Sequence, residues 1–180
     1  MRALVVYESM YGNTKRVAQA IADGISQHMT VETIEVSLAP LALTDDVELL
    51  VVGGPTHIHG MTSAFTRTQA EKQAQSPIVS GGLGMREWLE ESQPTQRSTK
   101  AAAFDTRLTG AEILTGSAAH GYEKRLHSTG YRVVAEPESF FVVAKAPQDD
   151  ALIPGELERA RTWGTELALQ VVGRTATPVA

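Results

Sequence analysis

Ser9-Met10-Tyr11-Gly12-Asn13-Thr14 stands between the apolar run Ala3-Leu4-Val5-Val6-Tyr7 and a stretch with Val17, Ala18, Ile21, Ala22 and Ile25 at helical spacing. The run is short, β-branched and nearly continuous, the pattern of a strand buried on both faces. The stretch after it carries a 3.6-residue apolar stripe and reads as an amphipathic helix. A strand that turns into a helix through small hydroxyl, amide and glycine residues leaves backbone N–H groups aimed at one point, where the helix dipole is positive. That point favours a phosphate. Its candidate donors are the hydroxyls of Ser9 and Thr14, the Asn13 amide and the backbone N–H groups from Tyr11 to Lys15. The other reading is an ordinary strand–helix turn capped by Thr14 or Asn13. The loop lacks the Gly-Lys-Ser/Thr ending of a nucleotide triphosphate loop and the G-x-G-x-x-G of a dinucleotide-binding turn.

The 180 residues suit one domain, and 42% hydrophobic with 21% charged residues is ordinary for a globular chain. A formal net charge of −5 argues against a nucleic-acid partner. No apolar run is long enough for a membrane span. The sequence enters strand pattern without a charged leader, so a cytoplasmic location is expected. Cysteine is absent. Disulfides, thiolate catalysis, Cys-ligated zinc and iron–sulfur clusters are therefore excluded, and any redox chemistry must come from an organic cofactor or a metal.

Strand-like and helix-like segments alternate along the chain. Further strands are expected at 31–36, 47–54, 100–105 and 139–143, with 131–134 as a candidate first half of the last. Helices are expected at 117–128, closed by Gly130, and at 154–172 behind the start signal Pro154. Alternation of this kind implies a parallel sheet covered on both faces. The expected organisation is a single domain over 1–173 and a flexible tail over 174–180. One interval, 54–98, is long for a connection between elements. It holds a polar, candidate-helical stretch at 62–75 and a helical one at 85–91 with Trp88 and Leu89. This insertion, about 62–96, is a candidate lid, an interface or a surface elaboration, and Trp88 serves either packing or such a contact.

Val5-Val6-Tyr7-Glu8-Ser9-Met10-Tyr11-Gly12-Asn13-Thr14-Lys15-Arg16-Val17-Ala18 resembles the flavodoxin signature, whose loop holds the phosphate of flavin mononucleotide (FMN). The resemblance implies a flavodoxin-like three-layer α/β/α sandwich with a five-stranded parallel sheet in the order 2-1-3-4-5. Gly53-Gly54-Pro55-Thr56-His57-Ile58-His59-Gly60-Met61 is similar to the loop that lines one side of the isoalloxazine ring in flavodoxins and flavodoxin-like quinone reductases. Phe104-Asp105-Thr106-Arg107-Leu108 falls where the other ring-flanking loop lies. The cofactor-binding residues it implies are Ser9, Met10, Tyr11, Gly12, Asn13 and Thr14; Pro55, Thr56, His57, Ile58, His59, Gly60 and Met61; and Asp105, Thr106 and Arg107.

Several residues keep two readings. His57 and His59, two apart in an extended segment, would point the same way. They read as ring contacts, as structural loop histidines or as a metal-binding pair, although no carboxylate or third histidine lies nearby in sequence. Arg107 is a cation for the flavin N1–C2 region or an exposed loop arginine. Asp105 caps its loop or binds, and strand alternation turns Phe104 into the core. His120 faces the crevice or merely starts a helix. Where many flavodoxins place aromatic rings, the second loop offers His57, His59 and Met61. The expected function is a redox protein carrying electrons through a non-covalent FMN to a partner protein. An FMN-dependent reductase of small quinones or nicotinamides is the alternative, and a flavodoxin-fold module without redox turnover the third reading. Receiver-type phosphotransfer is disfavoured, because only Glu8 stands at the first strand end and Lys145 alone does not complete the set.

Overall fold

The first strand, β1 (Arg2–Tyr7), sends Ala3, Val5 and Tyr7 to one face of a sheet and Leu4 and Val6 to the other, and all five side chains are buried. In the computed structural model, which describes residues 1–74, 77–94, 99–143 and 152–173, β1 is followed by α1 (Asn13–Ile25), β2 (Thr30–Glu35) and a 3-10 turn (Val36–Leu38). Next come β3 (Val47–Pro55), α2 (Ala64–Gln73), α3 (Met85–Glu91), β4 (Lys100–Leu108) and α4 (Glu112–Thr115). The chain continues through α5 (Ala118–Ser128), β5 (Arg132–Val133), β6 (Glu138–Val142) and α6 (Glu156–Gly173).

The sheet is parallel and its order is β2-β1-β3-β4-β5, as expected. Its fifth position is shared. β5 pairs with Lys100 and Ala101 at the start of β4, and β6 pairs with the stretch from Phe104 to Leu108. Pro137, which has no N–H to give a ladder, stands in the break between them.

α1 and α6 cover one face of the sheet over Val5, Val51, Phe104 and Phe140, with Trp163 of α6 packed among them. Phe104, Phe140 and Trp163 meet edge to face, with ring centroids 6.1–6.5 Å apart. The two helices touch backbone to backbone. A Cβ on Gly24 would overlap the Arg161 carbonyl oxygen, and one on Gly164 would overlap that of Ile21. α3 and α5 cover the other face over Leu4, Val6, Val52 and Ala103.

Trp88 settles between its two readings. It is fully buried with Met85 and Leu89, and its Nε1 donates to the Ala39 carbonyl at 3.3 Å. The 85–91 half of the insertion is therefore a layer of the core and not a lid. The 62–75 half forms α2, started by a capping box in which the Ser63 hydroxyl accepts from the Thr66 N–H. Gln75, position 96, Lys145 and the tail 174–180 lie outside the described residues.

Candidate functional site

The first three central strands in sheet order, β1, β3 and β4, end at the same edge, and the loops that follow them adjoin. This is the edge of an open α/β sheet at which crevices form. The first loop is built on its own serine. Ser9, fully buried, accepts at Oγ from the N–H of Gly12 (3.2 Å) and of Lys15 (3.3 Å), so Ser9 rather than Thr14 or Asn13 serves as the side-chain cap. Gly12 adopts φ 94°, a left-handed conformation open to glycine at little cost, and a Cβ there would stand in open space. Asn13 opens α1, whose first turn contains no acidic residue. By helix geometry the N–H groups of Asn13 and Thr14 have no carbonyl of the preceding turn to bond. Met10 is buried, and the Tyr11 hydroxyl donates to the Ala70 carbonyl of α2 at 3.2 Å. The Thr14 hydroxyl is buried against that of Thr106, 2.7 Å away. It ties the first loop to β4 instead of facing the cradle.

The second loop departs from the extended geometry expected of His57 and His59. The N–H of His57 donates to the Gly60 carbonyl at 2.9 Å and the N–H of Gly60 to the His57 carbonyl at 3.1 Å. Ile58 and His59 lie between them at φ 46° and 68°, the left-handed pair of a two-residue primed turn. Asn-Gly usually occupies such a turn. A β-branched residue there is strained, and Ile58 is also 76% exposed. The two histidines thus do not share one face of a strand. His59 stacks its backbone against Gly116, where a Cβ would overlap it. Burial pushes the His57 imidazole below its ordinary 6.5, which leaves it neutral at pH 7. A histidine NMR titration is expected to find its midpoint below 6.5. As pH falls, the unfolded chain takes up that proton first, so acidification through 6.5 lowers stability.

Pro55 ends β3 opposite Thr106, and the N–H of Thr56 donates to the Thr106 carbonyl at 2.9 Å. Asp105, fully buried, holds three elements together with one oxygen. Its Oδ2 accepts from Thr56 Oγ1 (3.0 Å), Ser117 Oγ (2.7 Å) and the Ala119 N–H (3.0 Å). Of its two readings the structure favours the cap. Arg107 is neither exposed nor loose. Its Nη1 donates to the Gly110 carbonyl (3.2 Å) and Thr115 Oγ1 (2.7 Å), and its guanidinium lies 4.9 Å from the centroid of the Phe141 ring. Arg107 Nε and Asp105 Oδ1 are buried without a hydrogen-bond partner among the described residues. His120 is exposed beside Glu112, 3.1 Å away.

The insertion closes over the first loop. The N–H groups of Val79 and Ser80 donate to the carbonyls of Met10 (3.0 Å) and Ser9 (2.8 Å), and Ser80 Oγ accepts from the Ser9 N–H at 2.9 Å. Between α2 and the first two loops lies a cavity of about 340 Å³ lined by Tyr11, Thr56, His57, Ile58, Gln69 and Gln73. Met61, at the far end of the second loop, packs on the α3–α5 face of the core.

Two features of this edge escaped the sequence. Ile113, 90% exposed on α4, joins Ile58 and Leu108 as apolar side chains presented at the loops. The other is Glu8, fully buried behind the first loop, where burial pushes its carboxyl above the ordinary range against the pull of the Thr62 hydroxyl, the Met85 N–H and the Arg67 cation.

A family model described as flavodoxin matches residues 5–112. No curated protein matches the chain. Among solved structures, a flavodoxin from the domain Archaea superposes with a TM-score of 0.62 at 20% identity, covering 96% of this chain and 99% of that one. Flavodoxin 1 from Bacillus cereus gives 0.62 at 18% identity, with 92% and 96% covered. Rubredoxin oxygen:oxidoreductase from Desulfovibrio gigas gives 0.61 at 16% identity, with 98% of this chain but 37% of that one covered. Likeness at these identities is likeness of fold.

Proposed function

Because the chain belongs to the flavodoxin family, we propose that it holds FMN non-covalently and carries electrons through it to a redox partner protein. The observation that carries this reading is the first loop. Gly12 at φ 94° with open space beside it, the N–H groups of Asn13 and Thr14 at the start of α1, and Lys15 without an acidic neighbour in that turn form a cradle for a phosphate dianion. When bound, the flavin ring supplies the electron chemistry, accepting and releasing electrons one or two at a time. The protein's part is to bind, orient and shield. Ser9, Met10, Tyr11, Gly12, Asn13 and Thr14 would hold the phosphate end, Ser9 and Thr14 by fixing the loop. Pro55, Thr56, His57, Ile58, His59 and Gly60 would line one side of the ring, with Met61 anchoring the end of that loop on the core, and Asp105, Thr106 and Arg107 would line the other.

The fixed guanidinium of Arg107 would favour negative charge gathered on the reduced cofactor.

FMN titrated into the protein is expected to lose its fluorescence at micromolar concentration, and the purified protein to be yellow. A colourless protein that leaves FMN fluorescence unchanged overturns the reading. A reductase of neutral quinones or nicotinamides draws support from the cavity between α2 and the loops, whose lining of Tyr11, Thr56, His57, Ile58, Gln69 and Gln73 contains no ionised side chain at neutral pH. Turnover of a quinone by the FMN-loaded protein, against electron delivery to a partner protein alone, separates the two.

A further inference from the structure

Glu8 joins the last residue of β1 to Ser9, and none of it is exposed. An ionised carboxylate is held out of water only when both oxygens are hydrogen-bonded and a countercharge lies near. The insertion supplies all of this. Thr62 Oγ1 donates to Oε1 at 2.6 Å, the Met85 N–H donates to Oε2 at 2.9 Å, and Arg67 Nη1 lies 3.9 Å from Oε1. Arg67 is itself gripped by Glu87 through two bonds of 3.2 and 3.0 Å. Arg86 holds the same corner by donating to the carbonyls of Met61 (3.2 Å) and Thr62 (3.1 Å).

The placement of the shortest of these bonds matters more than its strength. Glu8 immediately precedes the first loop and Thr62 immediately follows the second. Their 2.6 Å contact therefore pins together the bases of two loops, across 54 positions of sequence. The binding roles set out above make no use of either residue.

We propose that Glu8 is a positioning residue, a strut that fixes the spacing of the first and second loops so that one ligand engages both at once. The inference rests on the FMN reading. FMN has a phosphate at one end and a ring at the other, and the advantage of engaging both sites depends on their spacing. Riboflavin reaches the ring site alone and inorganic phosphate the cradle alone. Neither draws on that spacing.

The test compares three ligands on the wild-type chain, Glu8→Gln and Thr62→Val. FMN and riboflavin are followed by fluorescence quenching, inorganic phosphate by calorimetry, and the Met85 amide of the FMN-free protein by hydrogen exchange. Glu8→Gln keeps an acceptor for Thr62 but turns an NH₂ toward the Met85 N–H and removes the charge facing Arg67. Thr62→Val removes the donor and keeps the shape. In both, FMN binding is expected to weaken about tenfold or more while riboflavin and phosphate each change by less than about threefold. Faster exchange at Met85 is expected in Glu8→Gln. FMN losses no larger than those of riboflavin or phosphate overturn the strut, and if Glu8→Gln does not fold, Thr62→Val decides alone. A wild-type protein that does not bind FMN defeats the flavin reading itself and the strut with it. Wild-type binding with uniform losses in the variants defeats only the strut.

Discussion

Trp88→Ala is expected to lower the free energy of unfolding by about 3–5 kcal/mol, the range for deleting a buried aromatic side chain. Domains of this kind have about 5–15 kcal/mol in total, so the variant would stand near the edge of folding. The reason is local. Trp88 is fully buried on the α3–α5 face with Met85, Leu89, Tyr122 and Leu126, and its Nε1 reaches across to the Ala39 carbonyl. Truncation leaves a cavity lined by these side chains and an unpaired carbonyl. Phe65→Ala is the control from the same insertion: Phe65 is 65% exposed on α2, and its loss should stay within about 0.5 kcal/mol. Urea denaturation followed by circular dichroism measures both. A Trp88 cost as small as that of Phe65 would mean that α3 is not a core layer.

Gly12→Val should weaken FMN binding by about 10- to 100-fold, because hydrogen bonds to a charged group contribute about 1.5–3 kcal/mol each and the cradle would lose at least one. Valine is poorly suited to φ 94°. The chain must therefore either strain or rotate the peptide, and the added methyl groups occupy the open space beside the loop. Riboflavin, without the phosphate, should bind the variant within about threefold of wild type, since the residues proposed to hold the ring lie in the second and third loops and not at Gly12. Fluorescence titration of both flavins is the measurement. Equal losses would show that the loop does not hold the phosphate.

Much of the fold could be read from the sequence because central parallel strands announce themselves. Val5-Val6 and Val51-Val52 are β-branched and continuous, and the stripe of α1 has helical spacing. The division of the last strand into stretches at 131–134 and 139–143 could likewise be read. The turn at Ile58-His59 could not be, since neither residue belongs to the vocabulary of left-handed turns. The roles of Thr14 and Glu8 were hidden for a different reason. Each is decided by partners remote in sequence: Thr106 lies 92 positions from Thr14, and Thr62 and Met85 lie 54 and 77 positions from Glu8. Local pattern carries no trace of such pairings. Glu8, read alone, is an acid at a strand end; only the folded insertion makes it a buried one.

The glycine contact between α1 and α6 also sets a timetable. The Thr165 hydroxyl donates to the Gly24 carbonyl across 141 positions of sequence, and α1 finds its cover in α6. While the chain is being synthesised, α1 can settle on β1 and β3, but the side of it that meets α6 stays uncovered until α6 has left the ribosome. A domain whose first helix must wait for its last closes late and as a unit, with slow, non-local contacts limiting the rate. The waiting intermediate is a sheet whose α1 side is only half covered, with Phe104 and Phe140 still without Trp163.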